Sequence, residues 1–198
     1  MLIEMRQVTK TYAMGTVTVS ALDRVDLDID QGEFISIWGP SGSGKTTLLN
    51  MIGAVDAASS GQVKVAGSDL ARLNDNQRSA LRNRFIGFVF QRYNLIPVLT
   101  ALENVMLPLQ SQGASMAAAR KKALEHLDAV ASHRSDQMSG GQQQRAAVAR
   151  ALVNDPALVI ADEPTANLDS QTARQIIDLM GEIHRRWNQW FNPGTREI

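Results

Sequence analysis

The sequence predicts an α/β fold, and three observations carry that prediction. Two apolar runs, Phe34-Ile35-Ser36-Ile37-Trp38 and Ala157-Leu158-Val159-Ile160-Ala161, have the length and flanks of strands buried in a sheet. Several segments around them carry the apolar spacing of helices that lay one face on such a sheet. The first run also meets a glycine-rich stretch, 39–44, that opens directly into one of those helices. Strand, glycine loop and helix in that order put a backbone turn at the end of a strand, where open α/β sheets hold ligands.

From the N-terminus, strands are expected at 2–8, at 25–29 from the alternation Val25-Asp26-Leu27-Asp28-Ile29, and at 34–38 between Gly32 and Gly39. The segment 45–52 lacks Gly and Pro and sets Leu48, Leu49 and Ile52 at helical spacing. A short strand at 62–66, a polar helix at 74–84 and a strand at 86–90 follow. Helices are expected at 100–107, at 117–131 with Ala123, Leu124, Leu127 and Val130 on one side, and at 142–154 before the second apolar strand. The last helix, about 171–187, places Ile176, Met180, Ile183 and Trp187 on one face. Residues 188–198 show no alternation and read as an irregular tail. No internal repeat and no long linker divides the chain.

Composition bounds the function. The 198 residues are 44% hydrophobic and 20% charged, enough for one globular domain that buries about 70% of its unfolded surface. The absence of Cys excludes a disulfide framework, a thiolate zinc site and a cysteine nucleophile. Twenty Lys and Arg balance twenty Asp and Glu, which argues against a long nucleic-acid groove. No window approaches the roughly 18 to 20 consecutive apolar residues of a membrane span, and Met1 to Arg6 form no apolar leader. The expectation is a chain that reaches any membrane process through a separate polypeptide.

Gly39-Pro40-Ser41-Gly42-Ser43-Gly44-Lys45-Thr46 fits G-x-x-x-x-G-K-S/T between a strand and a helix. Glycines let backbone N–H groups turn inward around an anion, and the helix end adds about half a positive charge. Lys45 is placed to reach the β and γ phosphates and Thr46 to offer a hydroxyl to Mg²⁺. The second apolar strand runs into Asp162-Glu163, so two carboxylates emerge at a strand end. Asp162 is the expected Mg²⁺ ligand, and Glu163 the expected acceptor of a proton from the water that attacks the γ phosphate.

Between these stations lies Met138-Ser139-Gly140-Gly141-Gln142-Gln143-Gln144-Arg145. With it the chain resembles, over 1–187, the ATP-binding subunit of an ATP-binding cassette (ABC) transporter. The stretch from Tyr12 to Gly15, residues 21–33 and Ser41 to Lys45 are most similar to the lipoprotein-releasing and macrolide-export subfamily. The resemblance implies a P-loop NTPase core with a mixed sheet, an N-terminal antiparallel β subdomain and a helical signature subdomain inserted at about 92–140. It implies that ATP is held by Tyr12, which stacks on adenine, and by Gly39, Pro40, Ser41, Gly42, Ser43, Gly44, Lys45, Thr46 and Thr47. Catalysis falls to Glu163, Gln91 and Lys45, and Mg²⁺ to Thr46, Gln91 and Asp162. Ser139, Gly140, Gly141 and Gln142 precede or open a helix. Their local reading is either a second anion site or an ordinary N-cap, and the resemblance makes them the contact to the ATP of a second copy. The implied assembly is a head-to-tail homodimer with two ATP molecules sandwiched, attached to separate transmembrane permease subunits. Asn167-Leu168-Asp169 resembles the loop that crosses that interface. Tyr93, Leu95, Ile96 and Pro97, exposed in this reading, lie where the family docks a helix of its membrane partner. The implied location is cytoplasmic, peripheral to the inner membrane.

Two features depart from the family. The tail at 188–198 stands where relatives carry another apolar strand and a His that contacts the γ phosphate; His184 falls within the last helix instead. The connection at 130–136 is shorter than usual, which predicts an altered helical subdomain. The sequence therefore reads as a transport ATPase, with a truncated ATP-binding module of weak turnover as the alternative. A soluble ABC ATPase acting on DNA or ribosomes does not fit, because Gln91 to Ser139 has no room for a coiled-coil insertion.

Overall fold

The computed structural model describes residues 1–127, 130–165, 168–187 and 195–197, with backbone alone at 179, 182–187 and 195–197. The chain forms two compact units, Met1–Arg82 with His184–Ile198, and Asn83–Ile183.

In the first unit, β1 (Ile3–Met14) and β2 (Val17–Ile29) form an antiparallel hairpin that reverses at Gly15, whose φ of +63° suits a glycine. β4 (Ser60–Val65) pairs antiparallel with β1, and β5 (Ser68–Asp69) with β4, in the order β2-β1-β4-β5. Only the inner ends of the hairpin were legible as 2–8 and 25–29. Its outermost residues, 12–14 and 17–20, are exposed on both faces and carry no burial period, so cross-strand hydrogen bonding alone makes them strand. Ile3 and Met5 point inward, and simple alternation would bring Gln7 inward next. A register shift between Met5 and Val8, with Gln7 at φ +48°, buries Val8 instead. The Asp26 carboxylate accepts the Gln7 backbone N–H at 2.8 Å and holds the bulge.

β3 is shorter than the expected 34–38. It covers Phe34–Ser36, with Phe34 and Trp38 exposed, and it pairs parallel with β8 (Thr195–Glu197). The tail read as irregular thus contains a strand. Its Thr-Arg-Glu sequence has no apolar run to announce it. The ladder with β3 defines it, and a three-residue partner gives β3 a three-residue ladder. α1 (Lys45–Ile52) has the expected bounds and buries Leu48, Met51 and Ile52. α2 (Asp75–Phe85) leads out of this unit.

In the second unit, β6 (Ile86–Phe90) and β7 (Leu158–Asp162) pair parallel, in register from Ile86↔Leu158 to Phe90↔Asp162. α5 (Gly140–Leu152) packs on β6: Val89, Val148, Ala151 and Leu152 form one buried cluster with Val159 and Ala161 against it. Gly87 permits this approach, because a Cβ there would run into the Ala151 carbonyl. α3 (Ala101–Ser111) and α4 (Met116–Leu124) join α5 through Leu102, Val105, Met106, Ala119, Ala123, Ala149 and Val153. α4 ends seven residues before the expected 131. Bonds from Glu125 N–H to Lys122 and from His126 N–H to Ala123, both 3.2 Å, tighten its last turn. The chain then crosses the start of α3, where the carbonyls of His133 and Ala131 accept from the N–H groups of Ala101 and Leu102 at 2.8 and 3.0 Å. α6 (Ser170–Trp187) buries Ile176 and half-buries Met180; the Ile183 and Trp187 side chains of its expected stripe lie outside the description. Among the described residues, no helix is long and apolar enough to cross a membrane.

Candidate functional site

α1 begins at the glycine loop. Its N-cap is Gly44, at φ +91°, which supplies no side-chain cap, and the first turn holds no acidic residue. The other helices are closed by side chains: α2 by Asn74, α3 by Thr100, α4 by Ser115, α5 by Ser139 and α6 by Asp169. Among the described residues α1 alone is left open. Its first intrahelical bond is Leu48 N–H to the Gly44 carbonyl at 2.8 Å, so the N–H groups of Lys45, Thr46 and Thr47 precede the helical ladder. Together with the end of the helix dipole they make a site for an anion. Gly44 is required for a second reason, since a Cβ would strike the Ala21 carbonyl of β2. The Lys45 ammonium donates to the carbonyls of Gly39 and Pro40 at 2.7 and 2.8 Å, which parks it over the loop. Pro40, Ser41, Gly42, Ser43 and Thr46 are exposed around it.

Tyr12 lies in the same unit, on β1 directly opposite Val19 of β2. Its hydroxyl donates to Asp56 at 3.1 Å, and the Lys10 ammonium stands 4.9 Å from the ring centroid.

In the second unit the β6–β7 register ends at Phe90↔Asp162, so Gln91 and Glu163 leave adjacent parallel strands side by side. Both are exposed, and Asp162 is half-buried as the last residue of β7. Glu163 has φ +45°, a left-handed conformation rare for a residue with a side chain. The next carbonyl, that of Pro164, accepts from the amide of fully buried Gln144 at 2.7 Å.

The signature stretch forms the N-terminus of α5. Ser139 is the N-cap: its hydroxyl accepts the Gln142 N–H at 3.3 Å, and the Gln142 side chain accepts the Ser139 N–H at 2.8 Å. The local N-cap reading is therefore realised, and the N–H groups of Gly140 and Gly141 lie at the same helix end. Both glycines are pressed from the side. A Cβ would come 3.0 Å from the Tyr93 hydroxyl at Gly140 and 2.6 Å from the Thr172 methyl at Gly141. Met138 is buried with Ala101 and Ala146. Asp169 caps α6 through the N–H groups of Gln171 and Thr172, at 3.1 and 3.0 Å. Hydrogen bonds from the Thr172 side chain and backbone hold its carboxyl below the ordinary value. Asn167 lies outside the described residues.

Of the four residues expected to be exposed for partner docking, Ile96 and Pro97 are exposed, but Tyr93 and Leu95 are half-buried. Leu95 packs against the Ala101, Met138 and Ala146 cluster, and Arg150 holds the Tyr93 backbone. Three positioning residues escaped the sequence reading. Gln144 lies within the signature stretch but was given no role there; Asn104, whose side-chain oxygen accepts the Ile96 N–H at 2.7 Å, and Arg150 are polar members of helices α3 and α5 outside every motif. The usable signal lay in Asn104 and Gln144, which interrupt otherwise apolar faces beside Ala101 and Val105 and beside Ala147 and Val148.

Among the described residues no three His, Cys, Asp or Glu side chains gather into a metal site. The expected donors are a hydroxyl at Thr46, an amide at Gln91 and a carboxylate at Asp162. These hard oxygen donors suit Mg²⁺, an ion that draws the rest of its shell from phosphate and water.

A family model described as ABC transporter matches residues 22–166. The chain is 48% identical over 206 aligned residues to an uncharacterized ABC transporter ATP-binding protein, MJ0796, of Methanocaldococcus jannaschii, covering 100% of this chain and 88% of that protein. Its fold matches the dimeric structure of a post-hydrolysis state of the MJ0796 cassette bound to ADP and Pi, with a TM-score of 0.86 and 44% identity over 99% of this chain and 86% of that one. It is 45% identical over 188 residues to the lipoprotein-releasing system ATP-binding protein LolD of Xanthomonas axonopodis pv. citri, covering 92% of this chain and 77% of that protein. It is 44% identical to the macrolide export ATP-binding/permease protein MacB of Chlorobaculum tepidum, covering 93% of this chain but 29% of that longer protein. The P-loop, the paired acids and the signature thus occur in one chain whose sequence and fold match these proteins throughout: it belongs to the ABC transporter family, as an ATP-binding cassette.

Proposed function

We propose that the chain binds and hydrolyses ATP as the motor subunit of a transporter, working as a dimer on separate membrane-spanning permease subunits at the cytoplasmic face of the inner membrane. The observation that carries this reading is the open N-terminus of α1, alone among the described α-helices in lacking a side-chain cap, beneath a loop that carries Lys45. The triphosphate binds there through the N–H groups of the loop and of Lys45, Thr46 and Thr47, with the Lys45 ammonium moving from the Gly39 and Pro40 carbonyls to phosphate oxygens. Adenine stacks on Tyr12. Glu163 accepts the proton of the attacking water, and Gln91, beside it in register, orients that water. Thr46, Gln91 and Asp162 are the residues that would hold Mg²⁺, which when bound would supply charge neutralisation to the phosphates.

The signature helix completes the site from a second copy. Ser139, Gly140, Gly141 and Gln142 present a second helix N-terminus, which suits the γ phosphate of the ATP held by the partner. The dimeric post-hydrolysis structure of MJ0796 supports this arrangement. ATP drives closure and hydrolysis releases it, so the cycle delivers a stroke to the permease. The exposed Ile96, Pro97 and Val98 offer the permease an apolar contact.

The test is phosphate release by the purified chain with Mg-ATP, with Glu163→Gln as the blank. Turnover above that blank that is also lost in Lys45→Ala is expected. ATP binding without turnover above the blank would assign the chain to the weakly hydrolysing class, and no ATP binding by folded protein would overturn the proposal.

A further inference from the structure

We infer that Asp56, together with Lys10, positions the Tyr12 ring relative to the phosphate loop and so determines how strongly the site prefers a nucleotide over a bare polyphosphate. The inference rests on the ATP-binding reading above and deepens it at the base end of the site.

Asp56 lies in the turn that follows α1, the helix whose other end carries the phosphate loop. That turn is rigidly made. Gly53 N–H returns to the Leu49 carbonyl at 2.8 Å, Ala54 takes φ +53°, and the Ala54 carbonyl accepts from Arg82 at 2.7 Å. The N–H groups of Val55 and Asp56 both reach the Asn50 carbonyl, at 2.9 and 3.3 Å. From this fixed point the Asp56 carboxylate holds β1 in two places. One oxygen accepts the Tyr12 hydroxyl at 3.1 Å; the other accepts the Lys10 ammonium at 2.8 Å and the Ala57 N–H at 2.7 Å. Lys10 donates further to the Ala57 carbonyl at 2.8 Å.

The consequence is geometric. An eight-residue helix about 12 Å long separates the phosphate cradle from the anchor, and the anchor fixes the ring. With Lys10 against one face of the ring, a planar base takes the other face, beside Val19, which is directly opposite in the ladder and exposed. A phenol held at its hydroxyl cannot swing away from that position. Burial pushes the Asp56 carboxyl up, but its hydrogen bonds from Lys10, Ala57 and Tyr12 outweigh this and keep it below the ordinary value. The anchor therefore stays ionised at neutral pH.

Calorimetric titration of Mg-ATP and of Mg-tripolyphosphate into wild type, Tyr12→Phe and Asp56→Asn tests the inference. Wild type is expected to prefer ATP. Each variant should lose about five- to tenfold in ATP affinity, the scale of one ordinary net hydrogen bond, with tripolyphosphate affinity changed less than about twofold. A merely structural role would lower both affinities together, and that result, or unchanged ATP affinity in the variants, overturns the assignment. Tyr12→Phe keeps the ring and decides the matter alone if Asp56→Asn does not fold. Wild type binding both ligands equally would overturn the inference and leave the motor reading standing; wild type binding neither would overturn both.

Discussion

The Arg150 guanidinium, on the helix that begins with the signature, donates to the main-chain carbonyls of Tyr93 and Asn94 at 2.8 and 2.5 Å. Tyr93 and Asn94 have φ values of +58° and +48°, two successive left-handed residues that neither Cβ favours. The fork of the guanidinium spans both carbonyls, and burial pushes its pKa down. At the other end of the same helix, Gly140 lies against the Tyr93 hydroxyl. The segment after Gln91 is thus gripped from both ends of α5, so movement of the signature helix and movement of this segment are mechanically linked.

Arg150→Met should release that segment. The expected cost is about 2 kcal/mol in denaturant unfolding, from two charge-assisted bonds and the strain they restrain. Cleavage by trypsin after exposed Arg92 should accelerate in the folded protein. Arg150→Lys, which has no fork, should recover less than half of the stability. An unchanged cleavage rate in Arg150→Met would remove the clamp from the account.

Gln144 is fully buried and bonds the Pro164 carbonyl one residue after Glu163, while its own amide oxygen has no partner among the described residues. A residue this specific in direction, beside a left-handed Glu163, holds the turn that aims the carboxylate. Gln144→Met should lower kcat about tenfold with KM for ATP changed by less than about twofold. A rise in KM with kcat intact would show that the contact serves binding instead.

Gly141 faces the Thr172 methyl on α6 so closely that a methyl group of its own would sit 2.6 Å away. Gly141→Ala should destabilise the protein by about 1–3 kcal/mol through overpacking. Thr172→Ser removes the opposing methyl, and the double variant should regain most of the loss in a chemical unfolding series. Simple additivity of the two changes would argue against this contact.

Asp169 provides a pH test. Its carboxyl is held below the ordinary value of 3.8, first by the Thr172 side chain and then by the Thr172 backbone. A depressed folded-state pKa contributes stability that is fully present above the unfolded value and is lost as pH falls through the folded one. No effect is therefore expected at neutral pH, and the loss is confined to acid below about pH 4. Thr172→Val removes the hydroxyl and should bring the Asp169 carboxyl up toward its ordinary value in an NMR titration.

What was legible in the sequence follows one rule. Elements and sites that depend on neighbours in the chain were readable. α1 was bounded by its glycine loop and apolar spacing, β6 by its apolar run, and the phosphate loop, the paired acids and the signature by residue types at fixed spacing. The outer end of the β1–β2 hairpin was not readable, because residues 12–14 and 17–20 are exposed on both faces and are held by pairing rather than by a burial period. α4 was expected to run on to 131, since apolar spacing continues beyond Leu124. The tertiary structure ends it there, because the chain must turn to cap α3 with the carbonyls of Ala131 and His133.

By itself the sequence determined which groups are candidates for the proposed chemistry, since phosphate binding and water activation require particular groups at particular intervals along a turn or strand end, and those intervals are written in the chain. Tertiary structure alone decided how those groups are aimed. Thr195–Glu197 became a strand because β3 offered it a parallel partner. Asp56, Gln144 and Arg150 gained their roles from partners 44, 20 and 57 residues away, across contacts that no local pattern records. A side chain's type is fixed when the chain is made, but the atoms it faces are fixed only when distant segments pack together.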